Sequence, residues 1–236
     1  MTHKLAFLRS VPLFANTTPD VLAEISQQFH IHIWASDTIL FLEGDEPTAF
    51  YIVAAGRVRL CKISPEGREQ TLLMLRERDF FDVPPLLDHE PHPDSAVALT
   101  DVRLYVIGSE QMRDILRRHP QVAGNLLPDM AHKLRDLATL ASDLAFTDVS
   151  TRLAHLILLY AKEEGEPTPH GIDLAWGLSH RQIAQIIGTA REVVTRSMRH
   201  FEQVGVLHRD HGHLVIDDWR KLQELAHESD YGPVVG

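Results

Sequence analysis

The spacing of apolar and polar positions changes period along this chain, and each change marks a different kind of structure. Up to about residue 28 the apolar set Leu13, Phe14, Val21, Leu22 and Ile25 recurs at helical spacing around a turn expected at Asn16–Pro19. From Phe29 to Ile107 the pattern becomes short β-type runs, IHIW, TILFL, AFYIVAAG, RVRLCKI, QTLLML and VRLYVI. Turn tokens separate them: Glu43-Gly44-Asp45, Pro65-Glu66-Gly67 and a Pro-rich stretch from Pro84 to Pro93. Many short strands with such turns predict a sandwich or small barrel. Ser109 then opens a helix that ends near His119-Pro120, and a second helical run continues to about Phe146.

Within that second run Met130, Leu134, Leu137, Ala141 and Leu144 are spaced four, three, four, three. This is an a/d seam, suited to one edge of a helical dimer or to packing against the chain's own β-rich part. Pro128 removes a helical hydrogen bond, and the regular seam begins only after it. Asp148 reads as an N-cap for a further helix to about Lys162, followed by a break at EGEPTPHG, a brief β-like IDLAW and two short helices. The expected division is residues 1–118, 119–147 and 148–236.

The 236 residues include 44% apolar and 24% charged positions, as in ordinary globular proteins. One cysteine, Cys61, cannot make an internal disulfide, a four-cysteine zinc site or a protein-held iron–sulfur cluster. With no run of roughly 20 apolar residues and no secretory leader pattern, the expected location is the cytoplasm, with no membrane partner. The net charge of −10 argues against a nucleic-acid partner only until its distribution is examined.

Ser179 to Leu207 reads SHRQIAQIIGTAREVVTRSMRHFEQVGVL. Ser179 with Gln182 and Thr189 with Glu192 each fit a capping box, and two helix starts ten residues apart around Gly188 spell a helix-turn-helix. Ile183, Ile186 and Ile187 are expected to bury the first helix; Val194, Met198 and Phe201 the second. The outer face of the second then carries Arg191, Glu192, Thr195, Arg196 and Arg199. Arginine pairs bidentately with guanine O6 and N7, and glutamate accepts from cytosine N4. Residues 179–209 hold five Arg and two Glu, a charge of +3, so the remainder carries −13. The acidic total hides a basic module. HRDHGHLVI predicts a hairpin wing turning at His211-Gly212, and its histidines His208, His211 and His213 read as solvated or phosphate-facing rather than as metal ligands.

The chain from about Leu13 to Ile216 resembles the cyclic-AMP receptor/FNR family of bacterial transcription regulators. The matching pieces are FYIVAAGRVRL and PEGREQTLLML in the barrel, DLAFTDVSTRLAHLIL at the hinge, and RQIAQIIGTAREVVTRSMRHFEQVGVL in the reader. The resemblance implies an α+β protein: an N-terminal β-roll (double-stranded β-helix) sensor, a long dimerisation helix and a C-terminal winged helix-turn-helix. It implies a homodimer on double-stranded DNA with an inverted repeat containing GTGA or TTGA, with Arg191, Glu192, Thr195 and Arg196 reading bases. Ser179, His180, Arg181 and Arg199 would contact phosphates. In family activators the EGEPTPHG region touches RNA polymerase.

For the effector, the resemblance aligns Asp82-Val83-Pro84 with the Gly-Glu-Leu of cyclic-nucleotide binders and Asp94-Ser95-Ala96 with their Arg-Ser-Ala. Asp94 replaces a phosphate's counter-charge with a like charge, which argues against cyclic AMP. The expected effector pocket is Val83, Pro84, Asp94, Ser95, Leu134 and Leu137. Relatives with a similar Pro-rich loop include heme-dependent regulators, so heme-bound nitric oxide or carbon monoxide is an alternative effector, with Cys61, His89, His92, Met130 or His132 as candidate axial ligands. His89-x-x-His92 beside Asp88 and Glu90 gives weaker grounds for a divalent metal. A cyclic-nucleotide-responsive regulator remains a second reading. A third is a cupin-like metalloenzyme using His30-x-His32, although Glu43 lies eleven residues beyond His32, too far for the usual ligand run.

Overall fold

The structure is a computed structural model that describes residues 2–169 and 171–227. It divides into two compact units, residues 1–138 and 139–236. The division falls inside the long helix of the expected middle segment. His170 and residues 228–236 of the expected DNA-binding domain lie outside the described residues.

In the first unit, α1 (Thr2–Ser10), a 3₁₀ turn (Pro12–Phe14) and α2 (Pro19–Gln28) precede eight strands. These are β1 (His30–Trp34), β2 (Ile39–Phe41), β3 (Ala49–Ala55), β4 (Val58–Ile63), β5 (Glu69–Leu75), β6 (Phe80–Phe81), β7 (Ser95–Ala98) and β8 (Val102–Gly108). They form two antiparallel four-stranded sheets, ordered β1-β8-β3-β6 and β2-β7-β4-β5. One core lies between the sheets and includes Phe41, Tyr51, Val53, Val58, Leu60, Leu75, Phe81, Ala96 and Leu104. A second core lies on the helical side of the first sheet, where Phe50, Ile52, Tyr105 and Ile107 pack with Leu8, Leu13, Phe14, Leu22, Ile25, Met112 and Ile115. Strand alternation explains both: Phe50 and Ile52 face one way, Tyr51 and Val53 the other, so β3 reads as an unbroken apolar run.

The Pro84–Pro93 stretch is not wholly loop. Val83–Asp88 forms a short helix, α3. Proline at the head of a helix sacrifices no hydrogen bond, because the first N–H groups have no intrahelical acceptor. The same reasoning disposes of Pro128. After α4 (Ser109–Arg118) and α5 (Pro120–Gly124), helix α6 runs Leu126–Phe146, so Pro128 sits in its first turn. Of the seam residues on α6, Met130, Leu134 and Leu144 are 37%, 68% and 39% exposed, Ala141 is exposed and Leu137 is half-buried.

The second unit begins with α7 (Val149–Glu164), whose first turn is capped by the Asp148 carboxylate accepting from the Thr151 N–H at 2.8 Å. Two strands outside the expected hairpin complete a sheet: β9 (Glu166–Thr168) and β10 (Gly171–Leu174), the latter in the expected IDLAW segment, join β11 (Leu207–Asp210) and β12 (His213–Ile216) in the order β11-β12-β10-β9. Between β10 and β11 lie α8 (His180–Ile187) and α9 (Arg191–Gln203), and α10 (Trp219–Leu225) follows β12. Arg152 ties this unit's helix ends together: its Nε donates to the Ile187 carbonyl at 2.8 Å and its Nη1 to the Asp143 carbonyl at 3.2 Å and the Thr147 carbonyl. Terminal helix carbonyls lack partners within their own helix, and one guanidinium supplies them for two helices at once.

Candidate nucleic-acid interface and effector pocket

The start of α8 is a complete capping box. Ser179 Oγ accepts from the Gln182 N–H, and Gln182 Oε1 accepts in return from the Ser179 N–H at 2.9 Å. Gly188 ends the helix with φ of 69°, the left-handed geometry that lets the chain turn at once into α9. The second expected box is corrected. The N-cap of α9 is Ala190 and carries no side-chain cap, so Thr189 stands one residue too early and Glu192 falls in the first turn, where its charge favours the helix dipole. Ile183, Ile187, Val194, Met198 and Phe201 are buried as expected, with Ala184 and Ser197 beside them. Ile186 is only half-buried.

Arg191, Glu192, Arg196 and Arg199 are exposed along α9, and Ser179 and Arg181 are exposed at the start of α8. Thr195 and His180 are placed differently from the others. His180 Nδ1 lies 2.9 Å from Thr195 Oγ1, Thr195 Oγ1 donates to the Arg191 carbonyl at 3.0 Å, and Arg209 Nη2 meets His180 Nε2. Their polar atoms are engaged inside the protein rather than presented outward. Each wing histidine has a nearby carboxylate: His208 with Asp217, His211 with Asp210 and His213 with Asp173. His211 (φ 46°) and Gly212 (φ 90°) make the two-residue turn of the wing.

In the first unit, the expected pocket residues do not all come together. Val83 packs with Leu86 into the helical-side core, Pro84 is exposed and Leu134 is two-thirds exposed. Val83 and Pro84 therefore do not line the core between the sheets as expected: α3 turns Val83 and Leu86 toward the helices and leaves Pro84 and Leu87 exposed. Ser95 is buried, its Oγ accepting from the Glu43 N–H at 2.9 Å. What the core between the sheets does hold is a pair that sequence reasoning did not connect. His92 Nδ1 and Asp82 Oδ1 are 2.7 Å apart, with both side chains at most 3% exposed. The imidazole stacks on Phe41 with ring centroids 3.8 Å apart and planes 9° apart, and Phe41 in turn neighbours Tyr51 and Phe81.

Several features fix this arrangement. Asp82 adopts φ of 71°, and the His92 backbone is clipped at both ends, its N–H to the Asp45 carbonyl and its C=O to the Gly44 N–H, each at 3.0 Å. Arg113 donates to the carbonyls of Leu86 and Pro85 at 3.0 Å, closing the end of α3. Burial raises the Asp82 carboxyl above its ordinary range, opposed by the hydrogen bond and charge of His92. Burial, and then the charge of Asp82, push Asp94 up to about 6 and the Tyr51 hydroxyl up to about 12. The interior therefore disfavours further negative charge.

The candidate heme donors are dispersed. Cys61 is fully buried, its thiol pushed up to about 11 chiefly by burial. His92 is committed to Asp82, His89 is exposed at the end of α3, and His132 lies exposed on α6, 3.7 Å from Asp136. Met130 lies on the apolar seam. Among the described residues no group of three or more His, Cys, Asp or Glu side chains is arranged to hold a metal ion, which leaves a cupin-like centre without a ligand set.

Comparison with known proteins agrees with this layout. Residues 32–119 match the cyclic nucleotide-binding domain family and residues 151–225 the Crp-like helix-turn-helix domain family. A global nitrogen regulator of Synechococcus elongatus is 32% identical over 66% of this chain and 72% of its own length. The chain belongs to the CRP/FNR family of transcription regulators. A CRP-like cAMP-activated global transcriptional regulator of Mycobacterium tuberculosis is 27% identical over 91% of this chain and 96% of its own. The solved structure of a CooA mutant from Carboxydothermus hydrogenoformans is 26% identical with a TM-score of 0.71, covering 86% of this chain and 90% of that one. This CRP/FNR protein is a DNA-binding transcription regulator and not an enzyme, and among its described residues no helix is long and apolar enough to cross a membrane.

Two outcomes follow from these sites. Arg191→Ala and Arg196→Ala should each cost about 1–3 kcal/mol on a specific duplex and relax selectivity at one base pair, whereas Arg181→Ala should weaken all duplexes alike. Equal losses on specific and random DNA for all three would contradict the division. Asp94 tests the pocket electrostatics. A folded-state value near 6 against the ordinary 3.8 makes its charged form cost stability as pH rises from about 4 to 6, and the full cost persists above that. Asp94→Asn should therefore raise the free energy of urea unfolding at pH 7.5 by about 1–3 kcal/mol, and should not raise it at pH 4; a gain at both would disprove the electrostatic cause.

Proposed function

We propose that this regulator acts as a cytoplasmic homodimer on an inverted repeat of the GTGA or TTGA kind, under an effector other than a cyclic nucleotide. The observation that carries the effector reading is the buried Asp82–His92 pair. A cyclic phosphate needs a cationic or strongly donating partner once it leaves water. Here the groups around Asp94 are the carboxyls of Asp82 and Glu43, with His92 held by Asp82 at 2.7 Å and Lys62 Nζ already 2.6 Å from Glu43. Of the candidate heme ligands, Cys61 is buried and His92 is held by Asp82, which leaves His89, Met130 and His132 as the donors open to an axial role.

The dimer reading rests on the exposed apolar edge of α6, since a protein reading two half-sites about 34 Å apart needs a two-fold axis. Arg191, Glu192 and Arg196 are the base readers in this proposal, with Ser179, Arg181 and Arg199 on phosphates. As an activator, the protein would meet RNA polymerase through the exposed strand β9, Glu166–Thr168.

Calorimetric titration of the purified protein with cyclic AMP and cyclic GMP should show no heat of binding at physiological concentrations. A micromolar affinity for either, abolished by Ser95→Ala, would overturn the proposal and favour a cyclic-nucleotide-responsive regulator.

A further inference from the structure

Winged modules need the wing and the reading helix in fixed relation, and in this chain a chain of polar contacts spans the two. Thr195 Oγ1 donates to the Arg191 carbonyl one helical turn back, so its lone pairs are free to accept. His180 Nδ1 is 2.9 Å away and supplies the hydrogen. That assigns the tautomer: the proton is on Nδ1, and Nε2 is left with a lone pair. Arg209, which has no acceptor of its own, donates to that lone pair from β11. Every donor meets an acceptor only while the imidazole is neutral.

The charged and titratable groups around His180 agree. Arg209 faces it from β11, and Arg191 and Glu202 from α9; Arg209 Nε is also 3.8 Å from Glu202 Oε1. Burial first, then the charges of Arg209 and Arg191, hold His180 below its ordinary value, with Glu202 opposing. The Arg209 side chain is half exposed, so most of its five N–H donors remain available to a partner outside the protein.

We propose that Arg209 is a DNA-backbone contact of the wing, and that His180 is its positioning residue, tying it through Thr195 to the carbonyl of base-facing Arg191. Thr195 then serves this relay rather than reading a base. The inference rests on the DNA-reading proposal, and it adds a phosphate contact and a strut that the helix-turn-helix pattern does not contain.

The test measures fluorescence anisotropy of the full-length protein on a duplex it selects from a random pool and on a scrambled duplex, across salt and pH. Arg209→Ala should weaken both duplexes about tenfold and lower the salt slope by about 0.9 per protomer. His180→Ala should reproduce both effects, and the double variant should be no worse than either single one, as for residues acting through one contact. His180→Gln, uncharged and able both to donate and to accept, should retain binding. As the pH is lowered beneath the ordinary histidine range until the depressed His180 imidazole gains its proton, the wild type should approach His180→Ala in salt slope, while His180→Gln should not change.

Wild-type affinity and slope for Arg209→Ala, additive losses in the double variant, or the same pH response in wild type and His180→Gln would each overturn the relay. If Arg191→Ala relaxes a base while the relay variants are silent, the relay alone fails. If no duplex is enriched, the DNA-reading proposal fails with it.

Discussion

An aspartate and a histidine withdrawn together from water hold the loop between β6 and β7 of the sensor unit in place. Buried in this way, Asp82 and His92 must stay paired, because removing one partner leaves the other without compensation at a cost of about 3–5 kcal/mol. The pairing sets the loop between β6 and β7. Asp82 takes a left-handed backbone, the His92 backbone locks to the Gly44–Asp45 turn, and Arg113 closes α3 between them. With the imidazole against Phe41, the chain's own side chains occupy the core that the β-roll encloses.

The second unit shows the same economy applied to helix ends. Ser179 and Gln182 satisfy the start of α8, Gly188 turns its end, Asp148 satisfies the start of α7, and Arg152 collects the terminal carbonyls of α6 and α8. These contacts fix the direction of α9, whose buried Val194, Met198 and Phe201 leave the arginines outward. DNA recognition depends on that fixity, since base contacts discriminate only when the donors arrive in register.

Local signals made much of this legible. Strand alternation, turn residues, the Ser179 box, the Asp148 cap and the His211-Gly212 turn all act within a few residues, and the structure contains each of them. The failures have two kinds of cause. Thr189 carries a capping-box spacing, but the backbone starts its helix one residue later; the prolines around Pro84 read as loop although they suit a helix's first turn. Helix α10, capped by Asp218 accepting from the Lys221 N–H at 2.9 Å, and strand β9 were missed because both are short and polar. The remaining failures are long-range: Asp82 with His92, and Thr195 with His180 and Arg209, are pairings that no local period records. The family resemblance puts Val83 at the pocket, yet α3 faces it toward the helices.

The central claim is that the side chains within this β-roll leave it unresponsive to cyclic nucleotides while the reader still works. The most direct measurement is the affinity of the full-length protein for its selected duplex with and without cyclic AMP at and above physiological levels. The account predicts the same dissociation constant and the same salt slope in both conditions. Tightening of tenfold or more on adding the nucleotide, lost in Ser95→Ala, would contradict it.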